Sequence, residues 1–209
     1  MLAKILFRTI VLLFLSSTAF AQTAALNSLD KLLSSWKTLS ADFTQQVFTG
    51  DGQGQEMYRG KLYLSKPNRF RWIITQPEPQ VVVADGKNLW VYDEELEQAS
   101  VQPLSQQLSE TPALFLSGEF TQITQVFNVS ELKGTDQRFL ITPKKEDNLL
   151  QQMVLTFNKQ NQLTHMQIKD ALGQTTELTF TNVKINPNLA KDLFIFTPPK
   201  NADVVGEPL

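Results

Sequence analysis

Candidate chemistry begins with His165, the single histidine of the chain. A lone imidazole lacks the second ring that most histidine metal sites use. No G-x-S-x-G turn accompanies it to present a serine nucleophile. The densest acidic run, Asp93-Glu94-Glu95 with Glu97, could pair Glu95 with His165 for acid–base work, but it lies between two strand-like segments and reads as a solvated hairpin end. Its spacing is not that of a calcium loop. Neither glycine-rich phosphate cradle is present. Arg59, Lys61, Lys66, Arg69 and Arg71 interleave with Tyr58, Tyr63, Phe70 and Trp72, a mixture that could suit nucleic acid. Strand parity opposes it, because Phe70, Trp72 and Ile74 share one side while Arg69 and Arg71 face the other. Stacking and phosphate contacts would need both sets on one surface. The inventory points to a protein that is not an enzyme, needs no cofactor or metal and binds no nucleic acid.

Composition agrees. The 209 residues contain no Cys, which removes disulfide scaffolds, thiolate metal sites and cysteine nucleophiles. Hydrophobic residues at 42% against 19% charged are enough for a packed core. Residues 1–21 read as a cleaved signal peptide: Lys4 and Arg8 charge the start, Ile10 to Leu15 is apolar, and Ala19-Phe20-Ala21 is an A-x-A cleavage site. An apolar run of six residues is far too short to span a bilayer. Loss of Lys4 and Arg8 takes the formal charge from −2 to −4. With no Cys to carry a lipid, the exported product, residues 22–209, is expected to be soluble and monomeric.

Those residues read as one mainly β domain. Leu26, Leu29, Leu32, Leu33 and Trp36 recur at helical spacing, predicting a helix over Ala25 to Leu39. Eleven strand-like segments follow: 41–49, 57–64, 69–75, 80–84, 88–92, 98–102, 125–132, 138–142, 151–157, 163–169 and 175–185. Gly50 to Gly54 reads as a turn or flexible hairpin loop, and Asp85-Gly86 as a tight hairpin turn. Leu104–Leu108 and Pro112–Leu116 read as short helical turns, with Pro112 at a first helical position and Gly118 as a stop. Short strands without long intervening helices indicate an antiparallel meander or barrel, with both ends of the mature chain loosely attached. Such a curved sheet, closed by few helices, can hold a greasy ligand.

Three ordered groups of residues carry a resemblance that spans nearly the whole mature chain. They are Ala41-Asp-Phe-Thr-Gln45; Lys66-Pro-Asn-Arg-Phe-Arg-Trp72 with Gln76-Pro77 and Val83 to Tyr92; and Thr111 to Gly118 with Phe194-Ile-Phe-Thr-Pro-Pro199. Together they resemble the LolA family of bacterial outer-membrane lipoprotein carriers. The resemblance implies an incomplete eleven-stranded antiparallel β-barrel covered by a few α-helices and enclosing an apolar cavity. It implies a periplasmic role: taking acylated lipoproteins from an inner-membrane ABC release complex and delivering them to the outer-membrane receptor LolB. A periplasmic lipid- or protein-sensing domain of related fold is the alternative. The family's lid is latched by an Arg just before the Pro, which bonds lid carbonyls; here that place holds Lys66, with Arg69 or Arg71 as possible substitutes. The resemblance places Phe70 near the transfer surface and Trp72 inward. Leu89, Val91, Leu114, Phe115 and Leu116 are the further cavity or lid candidates.

Overall fold

Period-two alternation, seen in the sequence from Ala41, begins at Thr38 in the structure, a computed structural model that describes residues 16–49, 55–104, 112–145 and 149–209. Twelve strands form one sheet. They are β1 Thr38–Phe48, β2 Gln55–Ser65, β3 Arg69–Gln76, β4 Gln80–Asp85, β5 Asn88–Asp93, β6 Gln98–Pro103, β7 Phe127–Leu132, β8 Gln137–Pro143, β9 Leu150–Phe157, β10 Leu163–Asp170, β11 Thr175–Ile185 and β12 Asp203–Val205. Their spatial order is β12-β6-β5-β4-β3-β2-β1-β11-β10-β9-β8-β7, so β1 against β11 joins two meanders and the sheet stays open between β12 and β7. All eleven expected strands are present, and the architecture is an incomplete barrel.

The twelfth strand corrects the count. β12 lies parallel to β6, Asp203 to Val205 beside Gln98 to Ser100. The chain end is therefore not loose. Phe196 sits 5.5 Å from Trp90 and 5.8 Å from Tyr92 on the outer face, and the Leu209 N–H donates to Asn88 Oδ1 at 2.8 Å. Glu97 accepts from Asn201 Nδ2, and its carbonyl accepts from the Asp203 N–H. Part of the acidic run is thus spent tying down this strap, which covers an edge otherwise open to foreign strands.

Helix α1, Ser16–Ser34, ends five residues before the expected Leu39. The helix stops because its last carbonyls find other donors: Leu32 O accepts from Ser35 Oγ, and Leu33 O from the Trp36 N–H and Lys66 Nζ. Asn186 Oδ1 then takes the Lys37 N–H at 2.7 Å, and Thr38 is already paired with Ser65. Trp36 remains in the core, 1% exposed, although it has left the helix. Helix α2, Pro112–Ser117, starts at Pro112 and stops at Gly118, whose N–H donates to Leu114 O. Helix α3, Phe120–Val126, takes in the first two residues of the expected 125–132 strand; its Thr- and Gln-rich sequence shows little period, yet Ile123 is buried and Lys144 Nζ bonds Thr124 O. A 3-10 turn at Lys191–Phe194 was also unforeseen. Asp85-Gly86 forms its turn, with Gly86 at φ +100°. The first 15 residues of the expected signal peptide, the Gly50–Gly54 turn and residues 105–108 of the Leu104–Leu108 turn lie outside the described residues.

The core lies on the concave face. Phe43, Leu62, Leu64, Phe70, Trp72, Phe139, Leu155 and Phe157 meet there beneath α1 and α2. Phe43 stands opposite Gly60, and its ring reaches across that glycine to Trp72, 4.0 Å between ring centres. A Cβ on Gly60 would come within 1.9 Å of Ile73 O and 2.6 Å of the Phe43 ring. Gly60→Ala is expected to lower unfolding free energy by about 3 kcal/mol, the upper range for overpacking a filled interior. Urea denaturation checks this; an unchanged midpoint would mean that the Phe43–Trp72 contact does not need the glycine.

Candidate functional site

The β2–β3 turn, Ser65 to Arg69, is where the barrel holds its helical covers. Its Lys66–Pro67 peptide is cis and Asn68 has φ +56°, a left-handed conformation that Asn tolerates better than most residues. Lys66 Nζ donates to Leu33 O at the end of α1, 2.7 Å away. The Lys66 backbone N–H reaches Lys37 O at 2.9 Å, and the Asn68 N–H reaches Ser117 O at the end of α2, also 2.9 Å. One hairpin turn therefore grips the C-terminal ends of two helices. A cation suits the C-terminus of α1, where carbonyl dipoles gather negative charge.

A second clasp lies on the opposite strand. Asn186, just after β11 and with φ +56°, accepts from the Lys37 N–H and donates through Nδ2 to Ser35 O. Asn68 and Asn186 were both missed as functional residues. Each stands in a turn-forming pair with Pro, Pro67-Asn68 and Asn186-Pro187, which was the available signal.

The expected site residues divide clearly. Lys66 meets a helix carbonyl. Arg69 does not: its NH2 contacts Ser65 Oγ at 3.3 Å within its own turn. Arg71 points to the outer face, with NH1 3.3 Å from Leu193 O of the 3-10 turn. Neither guanidinium stands in for Lys66. Phe70 is fully buried, not on a surface, so a charge introduced there would be stranded in the core and threaten folding itself. Trp72, Leu89, Leu114, Phe115 and Leu116 belong to the same core cluster. Val91 shares the Leu89 face of β5 by parity but is half-buried and lies outside that cluster. His165 is exposed, and Asp93 accepts from the backbone N–H groups of Glu95 and Leu96 to shape its turn.

Aromatic side chains fill the interior. Besides Phe43 on Trp72, Phe139 meets Phe157 edge-on at 5.9 Å, and Phe115 of α2 meets Phe127 of β7 at 5.7 Å. A cleft of about 490 Å³ opens beside the turn, lined by residues of α1, of the turn and of the α2–α3 junction, including Trp36, Lys66, Pro67, Gly118 and Phe120. Among the described residues no helix is long and apolar enough to cross a membrane, and no group of His, Cys, Asp and Glu is placed to hold a metal.

An open, mainly antiparallel barrel with an apolar interior, under helices clasped by the β2–β3 turn and by Asn186, has the architecture of a carrier of apolar groups. Residues 34–197 match the family model of the outer membrane lipoprotein carrier protein LolA. Outer-membrane lipoprotein carrier proteins of Chromohalobacter salexigens and Hahella chejuensis are 39% and 38% identical over 93% and 92% of the chain, covering 93% of each relative. The chain belongs to the LolA family. A solved LolA-superfamily protein from Nitrosomonas europaea shares the fold, with a TM-score of 0.51 at 16% identity, covering 84% of this chain and 98% of that one.

Burial pushes the Lys66 ammonium down from 10.5 to about 8, with Asp30 nearby opposing the shift. Because the folded value lies below the unfolded one, the unfolded chain binds more protons between about pH 8 and 10.5, and stability rises with pH across that window. The unfolding free energy of the native protein should therefore climb relative to Lys66→Met from about pH 7 to about pH 10. Lys66→Arg should show no such climb, since guanidinium stays charged there. Denaturant unfolding across the series measures it; a constant difference between native protein and Lys66→Met would contradict the buried ammonium.

Proposed function

We propose that the protein is a periplasmic carrier that accepts acylated lipoproteins from an inner-membrane ABC release complex. It shields their acyl chains within the barrel and hands them to the outer-membrane receptor LolB. The observation that carries this reading is the apolar concave face closed by two helices whose ends both bond to the β2–β3 turn, in a chain of the lipoprotein carrier family.

Energetics make such a device necessary. About 15 methylenes at roughly 0.8 kcal/mol each come to about 12 kcal/mol per acyl chain left in water. Free diffusion of a triacylated protein between two membranes is therefore too unfavourable to matter. In the unloaded protein the aromatic side chains of the interior act in place of cargo, keeping water out. Cargo must displace those contacts and move the covers, so loading requires an external energy source. The chain carries no recognisable nucleotide motif, and the release complex fills that role. Unloading is downhill when the closed, empty form is stable enough to drive the acyl chains out to a tighter-binding receptor.

Lys66 is the latch of that closed form. Its bond to Leu33 O exists when α1 is seated, so it favours the empty state over the loaded one. Arg69 and Arg71 have no share in it. Lys66→Ala should load normally and release slowly. Losing one charge-assisted hydrogen bond of about 1.4 kcal/mol shifts the partition between carrier and receptor about tenfold toward the carrier. Two measurements check the account. Purified residues 22–209, mixed with inner-membrane vesicles bearing lipoproteins, should recover a soluble one-to-one complex. Transfer from that complex to the receptor should slow in Lys66→Ala. Failure to recover the complex would count against carriage, and unchanged transfer would remove Lys66 from the latch.

A further inference from the structure

Cleavage after Ala21 makes Gln22 the first residue of the chain, with a free α-amine beside its own carboxamide. The atoms from that amine nitrogen through Cα, Cβ and Cγ to Cδ close a five-membered ring, and two groups held in one residue react without the cost of bringing them together. Gln22 is exposed. Its Nε2 donates to Asn128 Oδ1 at the start of β7 over 3.4 Å, longer than an ordinary N–H···O bond, so the carboxamide is held weakly where it stands. Ala25, three residues on, is buried in the core and seats this end of α1 on the fold. A free ammonium at Gln22 would oppose the helix dipole. Nothing in the first turn of the shortened helix offsets it, since Gln22 to Ala25 include no carboxylate and the first acid of α1 is Asp30.

We propose that Gln22 is a modification site: after export its α-amine closes on its own side chain, and α1 begins with pyroglutamate. The amine nitrogen forms a bond to Cδ and the Cδ–Nε2 bond breaks. Nε2 leaves as ammonia, taking up the proton that the amine gives up. Nothing is oxidised or reduced, and no co-reactant is needed. The product is a neutral lactam in place of an amine that ordinarily titrates at about 8. Its place in the fold gives the change a consequence. Gln22 lies at the opposite end of α1 from the Lys66 latch, whose ammonium meets the carbonyls at the C-terminal end. With the N-terminal charge removed, charge and helix dipole agree at both ends of the cover. This inference rests on export and cleavage after Ala21, and is independent of the cargo.

The test expresses the full chain with its own leader in a Gram-negative host and recovers the protein from the periplasm. Ion exchange resolves forms that differ by one charge. Mass spectrometry of the N-terminal peptide should show a chain that begins at Gln22 and is lighter by one ammonia than its sequence. That form should grow on incubation and be blocked to stepwise sequencing. Gln22→Asn keeps a carboxamide but offers only a strained four-membered ring, so it should retain its ammonia. Hydrogen exchange at Ala25 and Leu26 should be about threefold slower in the cyclised form of the native chain than in the open form, the scale of one charge–dipole contact. A chain that begins at Gln22 and keeps its ammonia, or the same loss in Gln22→Asn, would overturn the modification while leaving export intact. A chain that begins at another residue would overturn the cleavage reading, and the modification with it. Equal exchange in the two forms would overturn the consequence assigned to the lost charge.

Discussion

An apolar concave face with no closing strand pair is the constraint from which the rest of this structure follows. β12 and β7 do not meet, so the interior of the sheet cannot be sealed by backbone bonds as in a closed barrel. Side chains and helices must seal it. Phe43 over Gly60, Trp72, Phe139 and Phe157 fill the space from the strands, while α1 and α2 lie across the mouth. A closed barrel would have no free strand edges at which its wall could part. Leaving the seal to helices makes opening a matter of a few hydrogen bonds and side-chain contacts instead of a broken sheet.

Those few bonds converge on the β2–β3 turn. Lys66 and Asn68 sit two residues apart and reach different helices, so a shift in the turn acts on both covers together. Asn186 holds the exit of α1 from the opposite strand with a donor and an acceptor, so residues 35–37 are tied to the sheet from both sides. Lysine at position 66 differs in kind from an arginine. It is a point charge with three rotatable donors, without the planar fork of arginine, and its burial costs enough to lower its proton affinity.

Strand positions were legible in the sequence because one face of each strand is buried and the other is not, leaving a period of two. Phe70-Arg71-Trp72 shows it clearly, with aromatics inward and Arg71 outward. The end of α1 was not legible. Trp36 keeps the helical spacing of Leu29 and Leu33 while lying beyond the last turn, because its burial is set by Phe157, 5.9 Å away, and not by the helix. β12 escaped detection because three exposed residues carry no alternation; its pairing is fixed by Gly206 packed against Val101 and by Glu97. At the site, the motif pointed to the cation at residue 66, whereas the partner carbonyl, the failure of Arg69 and Arg71 to share it, and the roles of Asn68 and Asn186 depend on which turns face which helix ends. The resemblance places Phe70 near the transfer surface, and its side chain is fully buried in the core.

The central claim is that the covers move away from the β2–β3 turn to admit acyl chains. The absence of Cys lets spin labels be placed at will. Lys31 on α1 and Lys61 on β2 are both exposed and can be replaced by labelled cysteines, Lys31→Cys with Lys61→Cys, without disturbing the core. Pulsed dipolar spectroscopy then gives the distance between them with and without bound triacylated lipopeptide. The account predicts one short distance in the empty protein and a longer one on loading. An unchanged distribution in protein shown to be fully loaded would contradict it.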